Sequence, residues 1–172
     1  FTTQAQHFGI VRKNYFSNYF DTLINMNVQV LDSSTIRLGS VNAVTGAVSN
    51  LGPAEYTMAI NLTGATVNPY AGRYIISSGD RMLSFSTNNG DIVSNVPITG
   101  PIATFAFQNY RFNPSDTVIY GLVPENFYST YFDSLTMSFV QVLDSSHIRF
   151  ASVDPNTGVY TLIGNTNLDN MY

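Results

Sequence analysis

The sequence predicts an all-β chain made of repeated antiparallel sheets, and three observations carry that expectation. Residues 7–52 align with residues 119–164 at a constant offset of 112, without a gap and with 22 of 46 positions identical, so one structural unit is used twice. Apolar residues alternate with small or polar ones in runs rich in β-branched and aromatic types. Glycine-containing turns separate these runs at regular places, where a hairpin needs a positive φ.

Along the chain, Tyr15–Ile24 carries no apolar stripe at helical spacing and no caps, which argues against a helix. Strands are expected at Ile36–Val41, Arg73–Ile76, Leu83–Ser86, Thr104–Phe107, Val118–Tyr120 and Ile148–Val153. Hairpin turns are expected at Val44-Thr-Gly46, Asn88-Asn-Gly90 and Asn156-Thr-Gly158. Asn68-Pro69 and Asn113-Pro114 start turns at strand ends, because proline has no N–H to give to a sheet ladder.

The three hairpin glycines are spaced by 44 and then 68 residues, which add to the period of 112. Val67-Asn-Pro69 and Phe112-Asn-Pro114 repeat at an offset of 45. A finer unit of about 45 residues is therefore present, and every second copy carries about 24 extra residues, near 12–31 and 124–143. A unit of that length with four short strands matches one blade of a β-propeller. The run Asn68-Pro69, Arg73-Tyr-Ile-Ile76, Met82-Leu-Ser-Phe-Ser-Thr-Asn-Asn-Gly90, Ile92-Val93 and the turn Asp154-Pro-Asn-Thr-Gly158 resemble the repeats of bacterial propellers of the YVTN and quinoprotein-like type. The resemblance implies four-stranded antiparallel blades across residues 1–172, as part of one propeller. A closed propeller needs four to eight blades, and this length holds one complete blade, one enlarged blade and incomplete flanks. Phe1 and Tyr172 fall within the pattern, so a segment of a longer chain is expected.

Composition narrows the partners. Only 10% of residues are charged, with nine Asp and two Glu against six Arg and the single Lys13, for a net charge of −4. Phosphate neutralisation needs clustered Lys and Arg, so nucleic acid is not an expected partner. No apolar run reaches the roughly 18 residues of a spanning helix, and cysteine is absent, which removes disulfides and thiolate metal sites. The polar but uncharged make-up suits an extracellular or cell-surface protein.

Signals for catalysis are weak. His7 and His147 are the only histidines, and the repeat replaces them by Ile119 and Thr35, so both read as polar turn residues and not as catalysts. Asp21, Asp32, Asp133 and Asp144 recur next to hydroxyl residues and read as turn formers. Metal spacings, calcium loops, nucleophile elbows and phosphate loops are missing, so no catalytic residue, metal or cofactor is expected. The quinone enzymes of this resemblance stack their cofactor on tryptophan, and this chain has none.

The extra residues hold the candidate binding surface. Tyr15, Phe16, Tyr19 and Phe20, matched by Phe127, Tyr128, Tyr131 and Phe132, form two dense aromatic stretches suited to sugar rings or a protein surface. The bland alternative is a loop or extra hairpin packed on its own blade. Asp-Thr-Leu, Asp-Thr-Val and Asp-Ser-Leu mark Thr22, Thr117 and Ser134 as O-glycosylation candidates, and Asn61-Leu-Thr63 is a lone N-glycosylation match. The functional expectation is a non-catalytic scaffold or binding segment for protein or glycan, attached to a longer chain or self-associating through open blade faces. The alternatives are a piece of a propeller lyase or hydrolase, or a repeating subunit of an extracellular assembly.

Overall fold

A computed structural model describes residues 7–53, 55–57, 62–102, 107–164 and, by backbone alone, 168–170. Three antiparallel sheets follow one another along the chain. The first holds β1 (His7–Asp21), β2 (Met26–Val41) and β3 (Val48–Asn50), with the short β4 (Tyr56–Thr57) also on β2. The second is the four-stranded meander β5 (Leu62–Asn68), β6 (Arg73–Ser78), β7 (Arg81–Ser86) and β8 (Ile92–Pro97). The third runs β9 (Gln108–Asn113), β10 (Val118–Asp133), β11 (Ser138–Val153) and β12 (Tyr160–Leu162), with β13 (Leu168–Asn170) paired to β11. The described residues contain strands and turns but no helix.

The second sheet is the middle layer, and its sequence explains why. On β6 and β7, Ile75 and Met82 point one way and join Ile119, Val123, Ala151 and Val153 of the third sheet. Ile76, Leu83 and Phe85 point the other way and join Ile36 and Leu38 of the first. All are at most 4% exposed, and each large apolar side chain so buried contributes about 1.5–3 kcal/mol. Two-sided burial removes the polar-out alternation of a half-exposed sheet. Small hydroxyls fill the remaining inward positions: Ser77 and Ser84 are fully buried, and Ser77 Oγ donates to the Phe107 carbonyl at 2.8 Å.

Two tyrosines tie the layers. Tyr110 packs its ring on Gly64, where a Cβ would lie 2.7 Å from the ring, and donates its hydroxyl to the Gly64 carbonyl at 2.7 Å. Burial pushes its phenol well above the ordinary range. Tyr160 covers Gly100, where a Cβ would meet the ring at 2.3 Å, and its hydroxyl accepts from the Ile102 N–H at 3.1 Å.

The hairpin glycines also mark the junctions between sheets. Gly46, Gly90 and Gly158 share a φ of +70 to +74°, in turns that close β2–β3, β7–β8 and β11–β12. A Cβ on Gly90 would lie 2.9 Å from the backbone N of Gly52, and one on Gly158 would lie 2.0 Å from the Pro97 carbonyl oxygen. In both cases the turn rests on the chain leaving the preceding sheet. A Cβ on Gly46 would meet no atom of the described residues within 4 Å.

The 112-residue repeat appears as two hairpins in the same register. β1–β2 and β10–β11 pair over their full lengths, and each shifts register once, at Tyr15/Phe16 and at Phe127/Tyr128. The strands of these hairpins run 15 or 16 residues, which corrects the expectation of four short strands throughout. The extra residues lengthen the two middle strands and form no separate loop or hairpin. Asp32 and Asp144 lie at the bulges inside strands, where they accept from Ser17 and Ser129 at 2.7 and 2.9 Å; they do not form turns. Both histidines are also in strands and not in turns, and His147 meets Phe127 edge-on at 5.0 Å. Asp21 and Asp133 do form the expected turns, accepting from the N–H of Leu23 and Leu135 at 2.9 Å in both copies. The strand expected at Thr104–Phe107 and the acceptor Asn61 lie largely outside the described residues; Phe107 itself is fully buried.

Candidate functional site

In an antiparallel meander the connection between the second and third strands leaves from the end opposite to the other two. That places the tips at Thr22–Asn25 and Ser134–Met137 at one end of the stack, with the tight Gly79-Asp80 turn between them. The β6–β7 hairpin has six-residue strands. The flanking hairpins overhang it by roughly nine residues, or about 30 Å at a strand rise of 3.3 Å. Two ribbons therefore project past the core. Packed sheets lie about 10 Å apart, so ribbons rooted in the outer two of three layers stand on the order of 20 Å apart at the base.

These arms carry all eight sequence-predicted aromatic residues. Tyr15, Phe16, Tyr19 and Phe20 are 37–54% exposed, and Phe127, Tyr128, Tyr131 and Phe132 are 43–54% exposed. Leu23 and Leu135 at the tips exceed 90% exposure. Strand alternation divides the rings between two faces. On the first arm, Phe16 and Phe20 continue the face on which Phe8 and Ile10 pack against the middle sheet. On the second, Phe127 and Tyr131 continue the face of Ile119 and Val123. Phe16 and Phe20 on the first arm, and Phe127 and Tyr131 on the second, thus lie on the strand faces that pack against the middle sheet nearer the core. Tyr15 and Tyr19 on the first arm, and Tyr128 and Phe132 on the second, lie on the opposite strand faces.

Polar contacts repeated in both copies hold the arms at their bends. Ser34 donates to Asn14 Oδ1 and Ser146 to Asn126 Oδ1, each at 2.8 Å, next to the bulge bonds of Ser17 and Ser129. Sequence reasoning missed these pairs, although Ser17/Asp32 and Ser129/Asp144 recur at one spacing of 15 residues. Lys13 Nζ lies 4.7 Å from the Tyr15 ring centre. Hydrogen bonding to Lys13, then to Thr35, holds the Tyr15 hydroxyl below the usual phenol range. On the second arm Phe132 and Phe139 meet edge to face at 5.4 Å.

The O-glycosylation candidates lie in turns. Thr22 and Ser134 occupy the arm tips, both exposed. Thr117 sits in the β9–β10 turn at a φ of +61°, with its hydroxyl donated to the Asp116 carbonyl at 2.6 Å. At that opposite end of the stack a cleft of about 600 Å³ opens among Asn68, Arg73, Thr117, Asp154 and Asn156. Arg73 donates to Asn156 across it. Among the described residues no three His, Asp or Glu side chains converge as a metal site, and no helix is long and apolar enough to cross a membrane. Comparison with family models, curated proteins and solved structures finds no match to this chain.

Proposed function

We propose that this chain is a non-catalytic binding and scaffold segment of a secreted or cell-surface protein, with stacked sheets that act as propeller blades and arms that contact protein or glycan. The observation that carries this reading is the pair of arms. At eight repeat-matched positions, Tyr and Phe rings stand 37–54% exposed on ribbons that project beyond the core. Water exposure of so much aromatic surface is costly for a lone chain and suited to a contact. Tyr and Phe offer rigid contact area with little entropy to lose, and the neighbouring Ser17, Asn18, Ser129 and Thr130 supply adaptable hydrogen bonds. Flat rings of this kind also stack on the apolar faces of sugars. The propeller reading rests on the face-to-face order of four-stranded meanders and on the blade-length repeat.

The test is a binding titration against neutral oligosaccharides and against candidate surface proteins, read by intrinsic tyrosine fluorescence, because the chain has eleven Tyr and no Trp. Replacing Tyr19, Phe20, Tyr131 and Phe132 together by Ser should abolish binding and leave the circular dichroism spectrum unchanged. A ligand bound equally well by both proteins would remove the arms from the function.

A further inference from the structure

The two outer faces of the stack are each a second copy of a face that the molecule buries. On the first sheet, Ile36 and Leu38 are at most 1% exposed against the middle sheet. Their repeat partners, Ile148 and Phe150, lie on the outward face of the third sheet with Tyr120 and Leu122, and all four are only half-buried. Conversely, Val123 and Ala151 of the third sheet are fully buried against the middle sheet. Their partners, Val11 and Gly39, lie on the outward face of the first sheet. One outer face is bulky and the other is smaller, since Tyr120, Leu122 and Phe150 stand at one end and Gly9, Val11 and Val48 at the other, with Gly39 buried beneath Val11 and Val48. Large against small is how packed layers interdigitate.

The junction glycines repeat the same asymmetry. Inside the molecule, a Cβ on Gly52 would lie 2.0 Å from the Asn89 carbonyl oxygen, because the exit of the first sheet is seated on the next sheet's turn. Gly164 is the repeat partner of Gly52, and a Cβ there would meet no atom of the described residues within 4 Å. Gly46 is the turn glycine of the first described sheet, and a Cβ there likewise meets no atom of the described residues within 4 Å. Among the described residues, the two halves of one such junction thus stand apart, Gly46 on the first sheet and Gly164 on the third.

We infer that a second copy of this chain docks head to tail: the outward face of its first sheet covers Tyr120, Leu122 and Phe150, and its Gly46 turn rests on Ile163-Gly164. The contact is heterologous, so copies add in one direction and either close into a ring or continue as a filament. The Arg37–Glu55 pair on the first sheet does not oppose docking, because Arg149, the repeat partner of Arg37, forms a similar half-buried pair with Glu125 on the third sheet. This surface is separate from the arms, and the inference stands or falls without them.

Sedimentation velocity over a range of concentration tests it with four proteins. The unaltered chain should form species heavier than its 18.9 kDa. Leu122→Asp blocks one face and Val11→Asp the other, and each alone should remain a monomer, with an association constant reduced roughly tenfold or more for the lost apolar burial. Mixed in equal amounts, the two variants keep one intact face each and should give a discrete 1:1 dimer and nothing larger. The fourth protein, with the four arm rings replaced by Ser, should associate as the unaltered chain does. Circular dichroism verifies folding, and Leu122→Ser and Val11→Ser repeat the test without charge if an aspartate unfolds the sheet. A monomeric unaltered chain at the highest concentration, face variants that still associate, a mixture that forms no dimer, or an arm variant that loses association would each overturn the inference.

Discussion

Alanine at the three turn glycines separates the cost of a backbone conformation from the cost of a sheet junction. Gly46, Gly90 and Gly158 have nearly the same φ, so any L residue there pays a similar left-handed penalty, about 1–2 kcal/mol. Their surroundings differ. Gly46→Ala places its Cβ more than 4 Å from every described residue beyond its chain neighbours, and its whole cost should be that penalty. Gly158→Ala drives a Cβ to 2.0 Å from the Pro97 carbonyl oxygen, more than 1 Å inside van der Waals contact, against backbone that cannot swing aside as the end of a flexible side chain would. Overpacking of this kind adds roughly 1–3 kcal/mol. The expected total is about 2–5 kcal/mol for Gly158→Ala, with Gly90→Ala between the two. Urea unfolding at low protein concentration, followed by circular dichroism, reads these differences. With a slope of about 1–3 kcal/mol per molar, the midpoint for Gly158→Ala should fall about 1 M below that for Gly46→Ala. Equal midpoints would refute the claim that turn glycines seat one sheet on the exit of another.

On the arms, Tyr19→Ser and Phe132→Ser should each change unfolding free energy by no more than about 0.5–1 kcal/mol, whereas Phe85→Ala in the core should cost about 3–5 kcal/mol in the same urea assay. Asp154 is held below the usual carboxylate range, first by the Asn156 N–H, so its share of stability is present above the unfolded value near 3.9 and is lost as pH falls through the lower folded value. Asn42 already does this capping without charge, accepting from the Val44 N–H at 2.9 Å, so Asp154→Asn should remove that acid-dependent part in melts between about pH 5 and 2 while keeping the turn. His7→Gln and His147→Gln should leave any activity of the protein unchanged, with His147→Gln losing about 0.5–1.5 kcal/mol for its edge contact with Phe127; loss of turnover in either folded variant would reopen the enzyme reading.

Turn positions were legible because their chemistry is local. Gly46, Gly90, Gly158 and the two Asn-Pro pairs each announce a conformation that few other residues adopt, and each lies where the chain reverses. The strands of the middle sheet were legible from β-branched and aromatic content, although burial on both faces blurred their alternation. The arms were harder. Tyr15–Phe20 and Phe127–Phe132 carry Tyr, Phe, Ser and Asn on both faces, and a two-sided pattern says strand without saying what it packs on. Asp32 and Asp144 misled for a related reason: Asp before Ser-Ser favours a turn in isolation, and only the ladder on both sides turns that local preference into a bulge. The histidines were misplaced because a single polar residue inside a strand has no signature of its own.

The arms end in the β1–β2 and β10–β11 tips, whereas the junction glycines lie in the β2–β3, β7–β8 and β11–β12 turns, and this separates two design variables. Residues added in equal number to β1 and β2 between the bulge and the tip lengthen an arm by about 3.4 Å per pair, with no change to the faces that stack. An unequal addition turns one strand's side chains over beyond the insertion, which exchanges inward and outward rings at constant length. Reach and ring presentation are therefore adjustable in the hairpin alone, and a chain carrying several such units can hold arms of different lengths on one unaltered spine.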